Sequence, residues 1–158
     1  MRLTGMGFKV YSDDVLMGSL DKAFESRKEP KDPPTFDATR FFAENLQFDE
    51  ASIDAVLAWD VFDYLPEAAV KPLVDRLHRV MRPGGAVLAF FHAREAGPEA
   101  PHHRYHITGA DSLEMEPMGT FRLQRIFNNR HIENLFADFR SVKFFLARDN
   151  LREVLIVR

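Results

Sequence analysis

Side chains able to do chemistry gather after two apolar runs of this sequence. Asp60 follows Ile53-Asp54-Ala55-Val56-Leu57-Ala58-Trp59, and His92 follows Ala86-Val87-Leu88-Ala89-Phe90-Phe91. Each run is short and nearly continuous, the mark of a strand covered on both faces. The carboxyl ends of such strands are where α/β sheets place their ligands. There Asp60 can line a site, or serve as the N-cap of the segment that follows. His92 can take a proton from a hydroxyl or an amine, although a lone histidine is more often structural. His102-His103-x-x-His106 has ligand-like spacing, yet no acid or fourth ligand is fixed nearby, so it reads as part of a polar loop and no metal is expected. Ser12 and Ser52 have no His–Asp arrangement around them, which sets nucleophilic catalysis aside.

The chain around these residues has 158 amino acids, 46% hydrophobic and 28% charged, with a net charge of −3. That length suits a single domain over 1–158 with a core of its own. The absence of cysteine removes disulfides, thiol nucleophiles and thiolate metal sites. Fifteen phenylalanines are more than a disordered chain carries. No apolar run approaches the ~20 residues of a membrane helix, so no membrane partner is expected. Met1 does not lead a basic and then apolar leader, and the expected location is cytoplasmic. Charge is uneven, with −7 over residues 1–120 and +4 over residues 121–158. Among the basic side chains of the second part, Arg122, Arg125, Arg130, Arg140, Arg148 and Arg152 are irregularly spaced. They read as a solvated face, and no nucleic-acid partner is expected.

Several elements must position the candidate residues. Leu3 to Asp14 reads as a helix C-terminus, a glycine turn and a strand at Phe8–Ser12. The Pro-rich, charged stretch from Glu25 to Pro34 is a loop, and Phe36 to Phe48 is a short strand followed by a turn. Val70, Leu73, Val74, Leu77, Val80 and Met81 form one stripe of an amphipathic helix, its regular part starting at Pro72. Arg82-Pro83-Gly84-Gly85 stops that helix, with glycine supplying the left-handed turn. Glu95 to Pro117 is a long polar loop. Asn129 to Phe139 is a helix capped by Asn128 or Asn129. Ser141–Ala147 and Glu153–Val157 are strands joined at Arg148-Asp149-Asn150. Together these describe an α/β sheet, mostly parallel with an antiparallel edge.

Three ordered motifs then carry a resemblance. Glu44-Asn45-Leu46-Gln47-Phe48-Asp49-Glu50-Ala51-Ser52-Ile53-Asp54-Ala55-Val56 is the first, Asp60-Val61-Phe62-Asp63-Tyr64-Leu65-Pro66 the second and Arg79-Val80-Met81-Arg82-Pro83-Gly84-Gly85 the third. In that order they resemble the class I S-adenosylmethionine-dependent methyltransferases, where such stretches surround the fourth strand and lead into the fifth. The resemblance implies a Rossmann-like methyltransferase sheet with order 3-2-1-4-5-7-6 and an antiparallel C-terminal strand, here N-terminally incomplete. It implies methyl transfer from S-adenosylmethionine to a small molecule, with no dedicated catalytic side chain, since alignment supplies most of the chemistry. It also implies cofactor contacts from Asp14, with Val15, to the ribose, from Phe42 and Ala43 at the adenine, and from Asp60 and Val61 at the strand end. Asp13 is the register-shifted substitute for Asp14.

Two departures stand beside the resemblance. The family's acidic residue and Gly-x-Gly-x-Gly turn after the first strand are not in this sequence, where Gly5-Met6-Gly7 precedes the second strand instead. The family's adenine-binding acid is replaced by Phe42, which can stack but cannot accept a hydrogen bond. The expectation is an N-terminally truncated methyltransferase as given; the alternative is a non-catalytic remnant of the fold used in association or scaffolding. Without the first strand, the strands at Phe8–Ser12 and Asp54–Trp59 each lose a neighbour. Direct pairing, a strand from another chain, or edge-to-edge joining of two copies would relieve this, and a homo-oligomer is expected.

Overall fold

The structure is a computed structural model that describes residues 2–94, 100–148 and 150–158. A four-stranded sheet organises it: β3 (Ile53–Trp59), β4 (Met81–His92), β7 (Ser141–Arg148) and β8 (Leu151–Val157), in the order β3-β4-β8-β7. The pair β3–β4 is parallel, while β8 runs antiparallel to both β4 and β7. This is a mixed sheet whose reversed C-terminal strand lies inside it, between β4 and β7, and not at the expected antiparallel edge; its order matches the last four places of the one the resemblance implies. Asp149 of the expected turn, and residues 95–99 of the expected loop, lie outside the described residues.

The crossover from β3 to β4 is helix α4 (Glu67–Val80). It starts one turn earlier than its apolar stripe suggests, with Pro66 as N-cap and Pro72 held inside. Leu73, Val74, Leu77 and Val80 are buried against the sheet, with Val87, Ala89, Phe91, Val154 and Ile156 in the same core. β4 extends back to Met81, and Arg82–Gly85 bulges out between the paired positions Ile53↔Met81 and Ala55↔Ala86. Gly84 takes the left-handed conformation there, φ +82°. A Cβ on Gly85 would lie 2.8 Å from the Asp54 carbonyl oxygen and 2.9 Å from that of Arg82. The expected double cover holds for β4 but not for β3, where Asp54, Ala55 and Leu57 are exposed. Among the described residues β3 is an edge strand, with no strand paired along one long side.

Four other expectations are corrected. Helix α1 (Arg2–Gly5) and its glycine turn are present, with Gly7 at φ +88°, but Phe8–Ser12 forms no strand. With no neighbouring strand to supply a ladder, a β-prone segment stays irregular; Tyr11 rests its ring on Phe48 instead. The stretch expected to be loop opens on a short strand, β1 (Glu25–Ser26), which pairs across it with β2 (Thr35–Phe36) in a small antiparallel hairpin. The turn expected before Phe48 is helix α3 (Ala38–Glu44), capped by Asp37 accepting from the Arg40 N–H at 3.0 Å. Finally, most of the expected polar loop is a second hairpin, β5 (Ala100–Ile107) with β6 (Leu113–Phe121). The segment polarity hid it: β6 is exposed at all positions but the last. Helix α2 (Val15–Ser19) and α5 (Asn129–Leu135) complete the chain, and Asn128 caps α5 through the His131 N–H at 2.8 Å.

Candidate active site

At the carboxyl ends of β3 and β4 the structure buries a cluster of polar side chains. Trp59 ends β3 at φ +51°, a left-handed backbone that a bulky residue rarely adopts. The strain coincides with a slip in the pairing between Leu57 and Trp59. Beyond this kink Asp60 is 2% exposed, and Trp59 stacks on Tyr105 of β5 with ring centres 4.9 Å apart and 19° between planes. The β5–β6 hairpin therefore caps the sheet end. The Tyr105 hydroxyl donates to Asp60 Oδ2 at 3.3 Å, His102 Nδ1 lies 3.5 Å from Asp60 Oδ1, and the Tyr64 hydroxyl donates to the Pro101 carbonyl at 2.8 Å.

The turn after β3 brings in Asp63, which is fully buried. Its Oδ2 accepts the backbone N–H of His92 at 2.6 Å and faces the ring Nδ1 of His92 at 2.7 Å. Tyr64 sits edge-on to both His92 and His102. Arg152 ties the end of β4 down from the other side, donating to the carbonyls of His92 and Phe127 and to Asn129 Oδ1. Among the described residues, Asp60 Oδ1, Asp63 Oδ1, His102 Nδ1 and Arg152 Nε are buried without a hydrogen-bond partner. Unpaired buried polar atoms are costly and rare, and they concentrate at sites built for a ligand or a proton.

Burial pushes the Asp60 carboxyl above the usual carboxylate range, against the pull of His102. Burial raises Asp63 likewise, against the two N–H groups of His92. The phenols of Tyr64 and Tyr105 are raised by burial and then by Asp60, so both stay protonated donors. The cluster thus holds hydroxyl donors, two carboxyls of raised pKa and two imidazoles in a shielded place, which is an arrangement suited to proton transfer.

The six residues expected to bind cofactor fall in three places. Asp60 and Val61 are at the cluster. Phe42 and Ala43 are on α3, Phe42 buried with the Arg76 guanidinium 5.5 Å over its ring, Ala43 exposed. Asp14 is exposed and caps α2, its Oδ1 accepting from the Met17 N–H at 3.0 Å, and Val15 beside it packs on the core. Sequence reasoning missed Asp63, Tyr105 and the pairing of His102. Asp63 left one signal, an acid set among Val61, Phe62, Tyr64 and Leu65. The histidine triplet sits on β5, where His102 faces Asp60 and His106 Nε2 meets Glu116 on β6 at 3.1 Å. Among the described residues no group of three or more His, Asp or Glu is placed to hold a metal ion.

Beside the cluster, Leu65, Glu67, Val70, Lys71, Gln124 and Arg125 help line a pocket of about 550 Å³ between α4 and α5. Gln124 and Arg125 reach the cluster through their backbones, donating to the Asp63 carbonyl at 2.8 and 3.4 Å.

Residues 2–89 match the model of a family described as a methyltransferase domain. No curated protein matches the chain. Among solved structures, a possible exported protein from Bordetella parapertussis is 15% identical, with a TM-score of 0.47, 70% of this chain covered and 40% of that one. An S-adenosylmethionine-dependent methyltransferase from Methanosarcina mazei is 12% identical, with a TM-score of 0.46 and coverage of 72% and 62%. Another from Mesorhizobium loti is 13% identical, with a TM-score of 0.44 and coverage of 72% and 66%. The chain therefore spans less than two thirds of the length of each of these proteins.

Proposed function

Because the chain belongs to the methyltransferase-domain family, we propose that residues 1–158 act as one domain in S-adenosylmethionine-dependent methyl transfer to a small molecule. The observation that carries this reading is the family match, which runs through α2, β3 and the Asp60 turn into β4. The polar cluster at the same sheet end supports it. Asp60 Oδ1 is a buried acceptor without a donor, so an amine or hydroxyl of a bound ligand has a place to bond. Asp14 offers an exposed carboxylate at a helix start, suited to paired ribose hydroxyls. The cofactor, when bound, supplies a methyl group activated on a sulfonium. This chain's part is then to orient the acceptor, exclude water and take up a proton.

The reading includes weak binding by this chain alone. Gly5 ends helix α1 and Gly7 precedes residues 8–12, which form no strand, so the two glycines do not stand in a turn from a strand into a helix. Phe42 gives the adenine no acceptor. Each absent hydrogen bond costs about 1 kcal/mol. Titration calorimetry should give a dissociation constant looser than about 10 μM. Asp14→Asn, which keeps a helix cap, should weaken binding by roughly 1.5–3 kcal/mol. Equal affinity in both would remove Asp14 from the site. No binding at about 1 mM would overturn the proposal in favour of a fold kept for association, the reading that the buried ring at Phe42 favours.

A further inference from the structure

We infer that His92, held by Asp63, is the proton acceptor for a methyl acceptor that bears an ionisable O–H or N–H group. This rests on the methyl-transfer reading above and names the chemical class of its substrate. Asp63 Oδ2 already accepts the backbone N–H of His92 at 2.6 Å, so it is an acceptor for the ring as well, and Nδ1 carries the ring proton. Among the described residues the ring makes no other hydrogen bond, which leaves the Nε2 lone pair unengaged.

The ring is held in that state from several sides. The Arg152 guanidinium bonds the His92 carbonyl at 3.2 Å, and Tyr64 stands edge-on with ring centres 5.6 Å apart. The backbone of Asp63 is itself fixed by the Gln124 N–H. A carboxylate that orients an imidazole and stabilises its charged form, with the opposite nitrogen bare, is the arrangement a general base needs. Its place agrees, at the carboxyl end of β4 and in the same buried cluster as Asp60. A buried Asp–His pair gives little net stability by itself, so stability is a poor reason for its presence.

In the step, the acceptor oxygen or nitrogen bonds the methyl carbon, and the electron pair of the broken carbon–sulfur bond remains on sulfur. The acceptor's proton passes to His92 Nε2. Asp63 stabilises the imidazolium, which then releases its proton to water. His92 is thus the catalytic residue and Asp63 its positioning residue.

The first test needs no cofactor. Long-range ¹H–¹⁵N spectra of the imidazoles at about pH 8, where histidine is neutral, with His92→Asn assigning the signal, should show His92 as the Nδ1–H tautomer. Asp63→Ala, which leaves the backbone bonds of residue 63 in place, should shift it toward Nε2–H; Asp63→Asn is the second variant if alanine unfolds the chain. An Nε2–H tautomer in the parent overturns the proposal. The second test follows labelled methyl from S-adenosylmethionine onto a panel of phenols and primary amines. His92→Asn and His92→Gln should keep cofactor affinity within about twofold while transfer falls about 100-fold or more. Undiminished transfer, or cofactor binding with transfer to none of these acceptors, overturns the role of His92 and leaves the cofactor reading intact. Failure of the parent to bind cofactor overturns that reading instead.

Discussion

Asp60 lies 2% exposed beside a histidine that stops 3.5 Å short of it. Its carboxyl titrates above the usual range because burial penalises the charge more than His102 and Tyr105 relieve it. Between the unfolded pKa and the raised folded one, the native state binds more protons than the unfolded state. Stability is therefore greatest below that window and falls as pH rises through it, by about 1.4 kcal/mol for each pH unit the window spans. Asp63 acts in the same direction. Urea unfolding from about pH 4 to about pH 8 should show the parent losing stability with rising pH. Asp60→Asn should flatten that loss, with Asp63 supplying the remaining slope. An unchanged slope would mean that Asp60 is not the group strained by ionisation. Asp60 and His92 were legible in the sequence because each follows an apolar strand. Asp63 and His102 were not, because a short turn and a hairpin of polar residues bring them in, and neither leaves a periodic trace.

At the level of elements, the β3–β4 crossover depends on how closely the backbone passes at Gly85. The Asp54 carbonyl stands 2.8 Å from where a Cβ would be, and the neighbouring contact is also backbone, the Arg82 carbonyl at 2.9 Å. Neither can turn aside as a side chain would. Gly85→Ala should therefore destabilise by roughly 1–3 kcal/mol, read as a lower denaturation midpoint with an unchanged slope. A loss under about 0.5 kcal/mol would show that the bulge yields freely. This crossover was readable from sequence, since the stripe on α4 and the Pro-Gly-Gly stop are local signals. The same reasoning failed for α3, where Phe41 and Phe42 on a seven-residue helix give too few turns for a period to show. It failed again at Phe8–Ser12 because strand formation needs a partner, which no local pattern reports.

For the whole molecule, the open side of β3 is the feature with the largest consequence. Among the described residues the strand pairs only with β4, and residues 8–12 do not close the gap. An edge strand exposes unpaired N–H and C=O groups, and proteins guard such edges with lysine, proline, bulges or covering segments. β3 has neither lysine nor proline, its one charged residue is Asp54, paired to Arg82 at 2.7 Å, and Leu57 is 39% exposed. Antiparallel joining of two copies along this edge would satisfy the backbone groups of both strands and cover Leu57. We expect a concentration-dependent dimer or higher oligomer through β3. Light scattering at micromolar concentration should give a mass above 18.2 kDa, and Leu57→Lys should shift the protein toward monomer without loss of helical signal. A stable, non-aggregating monomer for the parent would refute association along β3. An oligomer unaffected by Leu57→Lys would place the contact elsewhere, with the exposed side chains of Leu113, Met115 and Met118 on β6 the next surface to change.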